Sequence, residues 1–197
     1  MYPNEALARL QVLMADAAHD LGVPPPFNKL TLGKLRGPNL QPLLKFKAAK
    51  TRAMVPLVLR LLDMHFPATN DRELRRYMCL NFLNLAYLEL GDWKAGSAKS
   101  LEQYCRRHVL LYLSLSREAV RTEENWVSWR WYPKHHMLLH LSCEQAQQWG
   151  NPRFWWCYSD EGAIGIAVKL AESAHPRTLA ATCFEKYITT LSLEYND

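Results

Sequence analysis

What most constrains this chain is the period of its apolar residues, which is helical almost from end to end. Near the N-terminus Leu7, Leu10, Val12-Leu13-Met14, Ala17-Ala18 and Leu21 recur at the spacing that lines one face of an α-helix. Asn4 stands where a cap belongs, and Gly22 with Pro24-Pro25-Pro26 ends the run. A long helix is expected over about 39–66, with a kink at Pro56. The next starts at Asn70 or Asp71, runs through Leu90 and closes at Gly91. Ser97 opens another, carrying Leu101, Tyr104-Cys105, His108, Leu111-Tyr112 and Leu115. Pro133 begins a helix that stops at Gly150-Asn151-Pro152, one further helix covers about 159–174, and His175-Pro176 starts the last. Strand-like alternation is confined to residues 154–158. The fold expected is all-α: about seven helices in one irregular, orthogonal bundle, with one short extended segment near 154–158. Residues 1–26 read as a helix and Pro-rich linker, and 27–197 as a single helical domain.

Such a chain has the means to bury a core. It has 197 residues, 49% of them apolar and 22% charged, a globular composition rather than a disordered one. No uncharged apolar run reaches the length of a bilayer span, so no membrane partner is expected. The N-terminal segment lacks the basic-then-apolar order of a secretory signal. The five cysteines are odd in number, widely spread and without a CxxC pair. That usage suits reduced thiols in the nucleus or cytoplasm.

The net charge of +5 is unevenly spread. Lys29, Lys34, Arg36, Lys45, Lys47, Lys50, Arg52 and Arg60 follow one another with no intervening acid. A patch of one sign attracts phosphate backbones, because each neutralised phosphate releases counterions. Lys34, Arg36, Lys45, Lys47, Lys50 and Arg52 are therefore the candidate contacts for DNA or RNA; a solvated basic face without a ligand fits the same pattern. A second cluster, Arg72, Arg75 and Arg76, is diluted by Asp71 and Glu73. Lys50 falls on the apolar stripe of Leu43, Met54, Leu57 and Leu61, and Lys47 on the adjoining one. Each lysine either reaches the edge of its stripe or meets a carboxylate, for which Asp160 and Glu161 are the candidates.

Trp129 to Tyr187 concentrates tryptophan, tyrosine, histidine and cysteine with the Asp160-Glu161 pair. His136 and His140, four apart, share a helix face as in helical zinc sites, but Met137 replaces the glutamate of the zincin motif. Cys143, Cys157, Asp160 and Glu161 are the possible third ligands, at no diagnostic spacing. Histidines hydrogen-bonded within a polar core are the favoured account of the pattern. Cys105 with His108 and Cys143 with His140 are the conceivable nucleophile pairs, each lacking an orienting third group.

The order Pro133-Lys134, His136, His140-Leu141, Gly150, Trp156, Tyr158, Glu161, Gly165 and His175-Pro176 resembles the C-terminal domain of unknown function in plant CACTA-type (En/Spm) transposases. Phe46-Lys47-Ala48-Ala49-Lys50 and the apolar run Met54 to Leu62 are similar to its upstream part, so the likeness spans about 40–194. Lys50 and Ala49 depart from that pattern, as does Asn151-Pro152 in place of its glycine-proline turn. The resemblance implies an origin among enzymes that cut DNA with three carboxylates and two divalent metal ions. It marks Glu161 as the counterpart of a third catalytic acid. No β-rich portion precedes it to supply the other two.

The expectation is a non-catalytic, transposon-derived helical module that binds nucleic acid and needs no cofactor. One alternative is a metal-dependent nucleic-acid enzyme using Glu161, with Asp160, His136 and His140 and a divalent ion such as Mg²⁺. The other is a protein–protein scaffold built on exposed tryptophans.

Overall fold

The computed structural model describes residues 3–35, 48–122 and 133–155, with the isolated positions 178, 182 and 185. The chain is all-α, and no strand occurs among the described residues. It divides into two compact units, Met1–Pro152 and Arg153–Asp197. In the second, the Thr182 amide donates to the Thr178 carbonyl at 2.9 Å, the bond of one helical turn.

In the first unit, helix α1 (Pro3–Asp20) begins with proline at its first position, so Asn4 lies inside the first turn rather than capping it. Its end forms a Schellman motif: Val23 N–H donates to Ala18 O, Gly22 N–H to His19 O, and Gly22 takes φ 66°. A short helix α2 (Leu32–Leu35) and helix α3 (Ala48–His65) follow. Pro56 removes one donor from α3, and the helix continues through it. Met14, Ala17 and Ala18 of α1 close a core with Phe27, Leu30 and Met54, Leu57 and Leu61 of α3. The Gln11 side chain accepts the Leu30 N–H at 3.1 Å and ties the intervening loop to α1.

Helix α4 (Asp71–Gly91) opens with a reciprocal cap. Asn70 Oδ1 accepts from the Glu73 N–H at 3.0 Å, while Glu73 Oε2 accepts from the Thr69 N–H and hydroxyl at 2.9 and 2.8 Å. Those bonds hold the Glu73 carboxyl below its ordinary pKa. Gly91 is the last helical residue, and the cap falls on Asp92, whose N–H donates to Leu88 O. Tyr77 on α4 hydrogen-bonds Asp63 on α3, and burial, with that bond, raises the phenol's pKa.

Helix α5 (Ser97–Arg121) starts after Gly96, held at φ 92°, and packs along α4. Cys79, Phe82, Ala86 and Leu90 face Leu101, Cys105, Val109, Leu115 and Ala119 across a second buried layer. Helix α6 (Pro133–His140) then passes into a π-helical turn, Leu141–Gln145, and a last turn, α7 (Ala146–Trp149). In the wide turn the Ala146 N–H donates to Leu141 O, five residues back. Ser142, fully buried, supplies its hydroxyl to Leu138 O at 2.8 Å. All three pieces pack on α5. Asn151, also buried, donates from Nδ2 to Leu90 O at 3.1 Å, pinning the end of this segment to the end of α4.

The extended segment expected near 154–158 begins differently. Pro152–Phe154 is a 3-10 turn, because the proline ring fixes φ near the helical value. The helices expected over 159–174 and from 176 lie outside the described residues.

Candidate functional site

Three groups of polar side chains carry the candidates named from the sequence. The first is the basic run. Arg36, Lys45 and Lys47 lie outside the described residues. Lys50 is exposed on α3 while Met54, Leu57 and Leu61 turn inward, so its ammonium sits at the edge of the apolar stripe. Arg52, half-buried, is two residues further along the helix. Lys34 Nζ folds back to donate to the Lys29 carbonyl at 2.8 Å, and Arg60 pairs with Asp20 of α1.

Two members of the second basic cluster, Arg72 and Arg75, are engaged from within the fold. Arg75 reaches Glu118 at 2.7 Å, Asp71 at 2.8 Å and the Ser114 hydroxyl at 3.0 Å. Arg72 stands 3.6 Å from the same glutamate. These groups staple α4 to α5 and are not on offer to a phosphate backbone. The sequence hid this, because Glu118 lies more than forty residues downstream of both arginines.

The third group is the histidines. His136 and His140 lie on α6 as the four-residue spacing requires, and they meet: their Nε2 atoms are 2.9 Å apart and their rings stand at 88°. His140 Nδ1 is 3.0 Å from Glu144 Oε1 in the π turn. They do not belong to a polar core, which the sequence pattern also allowed: His136 is exposed, and the His140 side chain is 40% exposed. Among the described residues no group of three or more His, Cys, Asp or Glu side chains could hold a metal ion, so Cys143 does not serve as a third ligand. Cys157, Asp160 and Glu161 lie outside those residues, as do Trp129, Trp131, Trp156 and Tyr158.

Neither nucleophile pair forms. His108 turns to Cys79 of α4 rather than to Cys105, with Nδ1 2.8 Å from the Cys79 carbonyl. His140 is engaged with His136 and Glu144, not Cys143. Burial pushes the Cys79 thiol up to about 12 and the Cys105 thiol to about 11, which leaves both protonated and inert at neutral pH. Sequence reasoning missed His135, whose ring packs 4.2 Å from that of Tyr112 on α5 and faces His108. It also missed the groove of about 440 Å³ between α4 and α5, lined by Leu74, Met78, Phe82, Leu110 and Leu111. Arg107 lies over the Phe82 ring there at 5.3 Å.

No family model, no curated protein and no solved structure matches this chain. The likeness to the transposase domain rests on the sequence pattern alone.

Proposed function

We propose that this protein is a non-catalytic helical module that binds nucleic acid through Lys29 to Arg60, with a transposon-derived origin suggested by its sequence pattern. The observation that carries the reading is the acid-free run of eight Lys and Arg residues, with Lys50 exposed on the outer side of α3. In the second arginine cluster, by contrast, Arg72 and Arg75 are engaged by Glu118 and Arg75 also by Asp71. The run is thus where the sequence concentrates positive charge with no acid between its members, although Arg60 pairs with Asp20 of α1. Its contacts would be to phosphates, which orient a partner without reading its bases. The part assigned to Glu161 in a metal-dependent reaction rests on the resemblance alone, and the described thiols and histidines form no nucleophile pair. The α4–α5 groove favours a protein scaffold as the second reading.

Fluorescence anisotropy of labelled duplex and single-stranded oligonucleotides, from low to physiological salt, tests the first reading. Binding should weaken log-linearly with salt, and Ala at Lys45, Lys47, Lys50 and Arg52 together should abolish it. Salt-insensitive binding, or none at low salt, removes the nucleic-acid reading and leaves the scaffold.

A further inference from the structure

We propose that His136 and His140 form a surface chelate for a late first-row divalent metal ion, Cu²⁺ or Ni²⁺, with Glu144 holding one of its imidazoles in the ligating tautomer.

The two Nε2 atoms already converge, 2.9 Å apart. One ion bonded to both at the usual 2.0–2.1 Å would subtend about 90° at the metal, from those lengths alone. A right angle is the cis bite of square-planar and octahedral coordination and is too narrow for a tetrahedron. A bite near that angle suits Cu²⁺ and Ni²⁺ better than tetrahedral Zn²⁺, and copper also has the highest intrinsic affinity for such a site.

The carboxylate fixes the protons. Glu144 Oε1 can only accept, so at 3.0 Å it takes the Nδ1–H of His140 and leaves Nε2 of that ring as a lone pair. In the metal-free protein His136 fills the gap by donating its Nε2–H to that lone pair. When metal enters, the His136 proton moves to its own Nδ1, and both Nε2 atoms face the ion. A carboxylate on the far nitrogen of a ligating imidazole is the outer-shell arrangement that orients the ring and raises its basicity.

The π turn bears on the placement. Glu144 lies within Leu141–Gln145, and the hydroxyl of buried Ser142 anchors that turn to Leu138 O. The carboxylate is thus presented by a segment that the fold holds, although its own side chain is 62% exposed. With two protein ligands the remaining positions on the metal are open to water or to a small anion. The proposal stands independently of the nucleic-acid reading.

The test is a titration of the untagged full chain with CuCl₂ and NiCl₂, followed by calorimetry and, for copper, by EPR. One equivalent should bind, with two nitrogen couplings. His136→Ala and His140→Ala should each weaken binding at least about tenfold, and Glu144→Gln several-fold. His65→Ala, at the end of α3, should leave it unchanged. In the unmutated protein Ni²⁺ should broaden the ring resonances of His136 and His140 ahead of the other histidines, a readout that needs no variant to fold. Unmutated affinity retained in either alanine variant, a single nitrogen coupling, or broadening centred elsewhere overturns the proposal.

Discussion

Nδ1 of His108 lies 2.8 Å from the carbonyl oxygen of Cys79, and the Cys79 thiol returns a bond to the His108 carbonyl at 3.6 Å. A carbonyl only accepts, so the neutral ring carries its proton on Nδ1, and the thiol, 3.5 Å from that nitrogen, points its own hydrogen at the backbone instead. Two buried polar groups thereby satisfy each other across the α4–α5 contact, where an unmet donor would cost about 1–3 kcal/mol.

That pair makes stability depend on pH near neutrality. Burial holds the His108 pKa below its ordinary 6.5, more than the bond to Cys79 raises it, and His135 nearby pushes it further down. The unfolded chain therefore takes a proton that the folded chain refuses. Stability is complete above about 6.5 and falls as pH drops from there toward the folded value. Urea denaturation at pH 7.5 and 5.5 should show a lower midpoint at the acid end, and His108→Gln should flatten the difference. An unchanged pH dependence in that variant would refute the assignment.

The thiols should separate by reactivity. Cys79 and Cys105 are buried and poor thiolates, whereas Cys143 is half-buried beside Arg106. Brief alkylation of the native chain at pH 8, read by peptide mass spectrometry, should label Cys143 at least about tenfold faster than either. Comparable labelling would mean that the α4–α5 layer opens on the timescale of the reagent.

Glu118 is the common partner of Arg72 and Arg75. Glu118→Ala takes from Arg75 its 2.7 Å carboxylate partner and from Arg72 the carboxylate 3.6 Å away, at a contact about one-quarter exposed, and should destabilise by about 1–2 kcal/mol, below the cost for a fully buried pair. The same change frees positive charge, so the oligonucleotide binding proposed above should tighten in this variant. A melting temperature equal to that of the unmodified chain would mean the staple contributes nothing.

The α1–α3 core has its own test. Leu57 is 1% exposed among Met14, Ala17, Phe27 and Leu30, and Leu57→Ala should cost about 2–5 kcal/mol, the range for a cavity in a packed core. Thermal unfolding measures it. A loss under about 1 kcal/mol would show that the layer collapses around the gap or was loosely packed.

The helices were legible because their punctuation is local. Gly22, Asn70, Ser97, Pro133 and Gly150 act on the backbone within one turn, and each stands at or beside an observed boundary. The stripe of Met54, Leu57 and Leu61 could be read for the same reason, since burial follows period. The site was harder. Four-residue spacing brought His136 and His140 together, but nothing in it says whether their face is buried, and it is not. The pairing of His108 with Cys79, and of Glu118 with Arg75, depends on how α4 lies along α5, a packing choice that no periodicity specifies. Glu161 illustrates the limit of motif likeness: it was picked out by its neighbours in the chain, and a catalytic acid is defined by its neighbours in space.

The wide turn at Leu141–Gln145 sets the angular bearing of α7. One residue of an α-helix advances the azimuth by about 100°, and a π turn absorbs an additional residue without breaking the rod. Were the turn to tighten to α-helical pitch with all its residues kept, the last turn would swing about a quarter of the way round. Ala146, 1% exposed against α5, would then rotate off its seat, and the 65% exposed Trp149 would be carried to a new heading. The supernumerary residue acts as a goniometer, and the aim of Trp149 is set by a count of residues as much as by their chemistry.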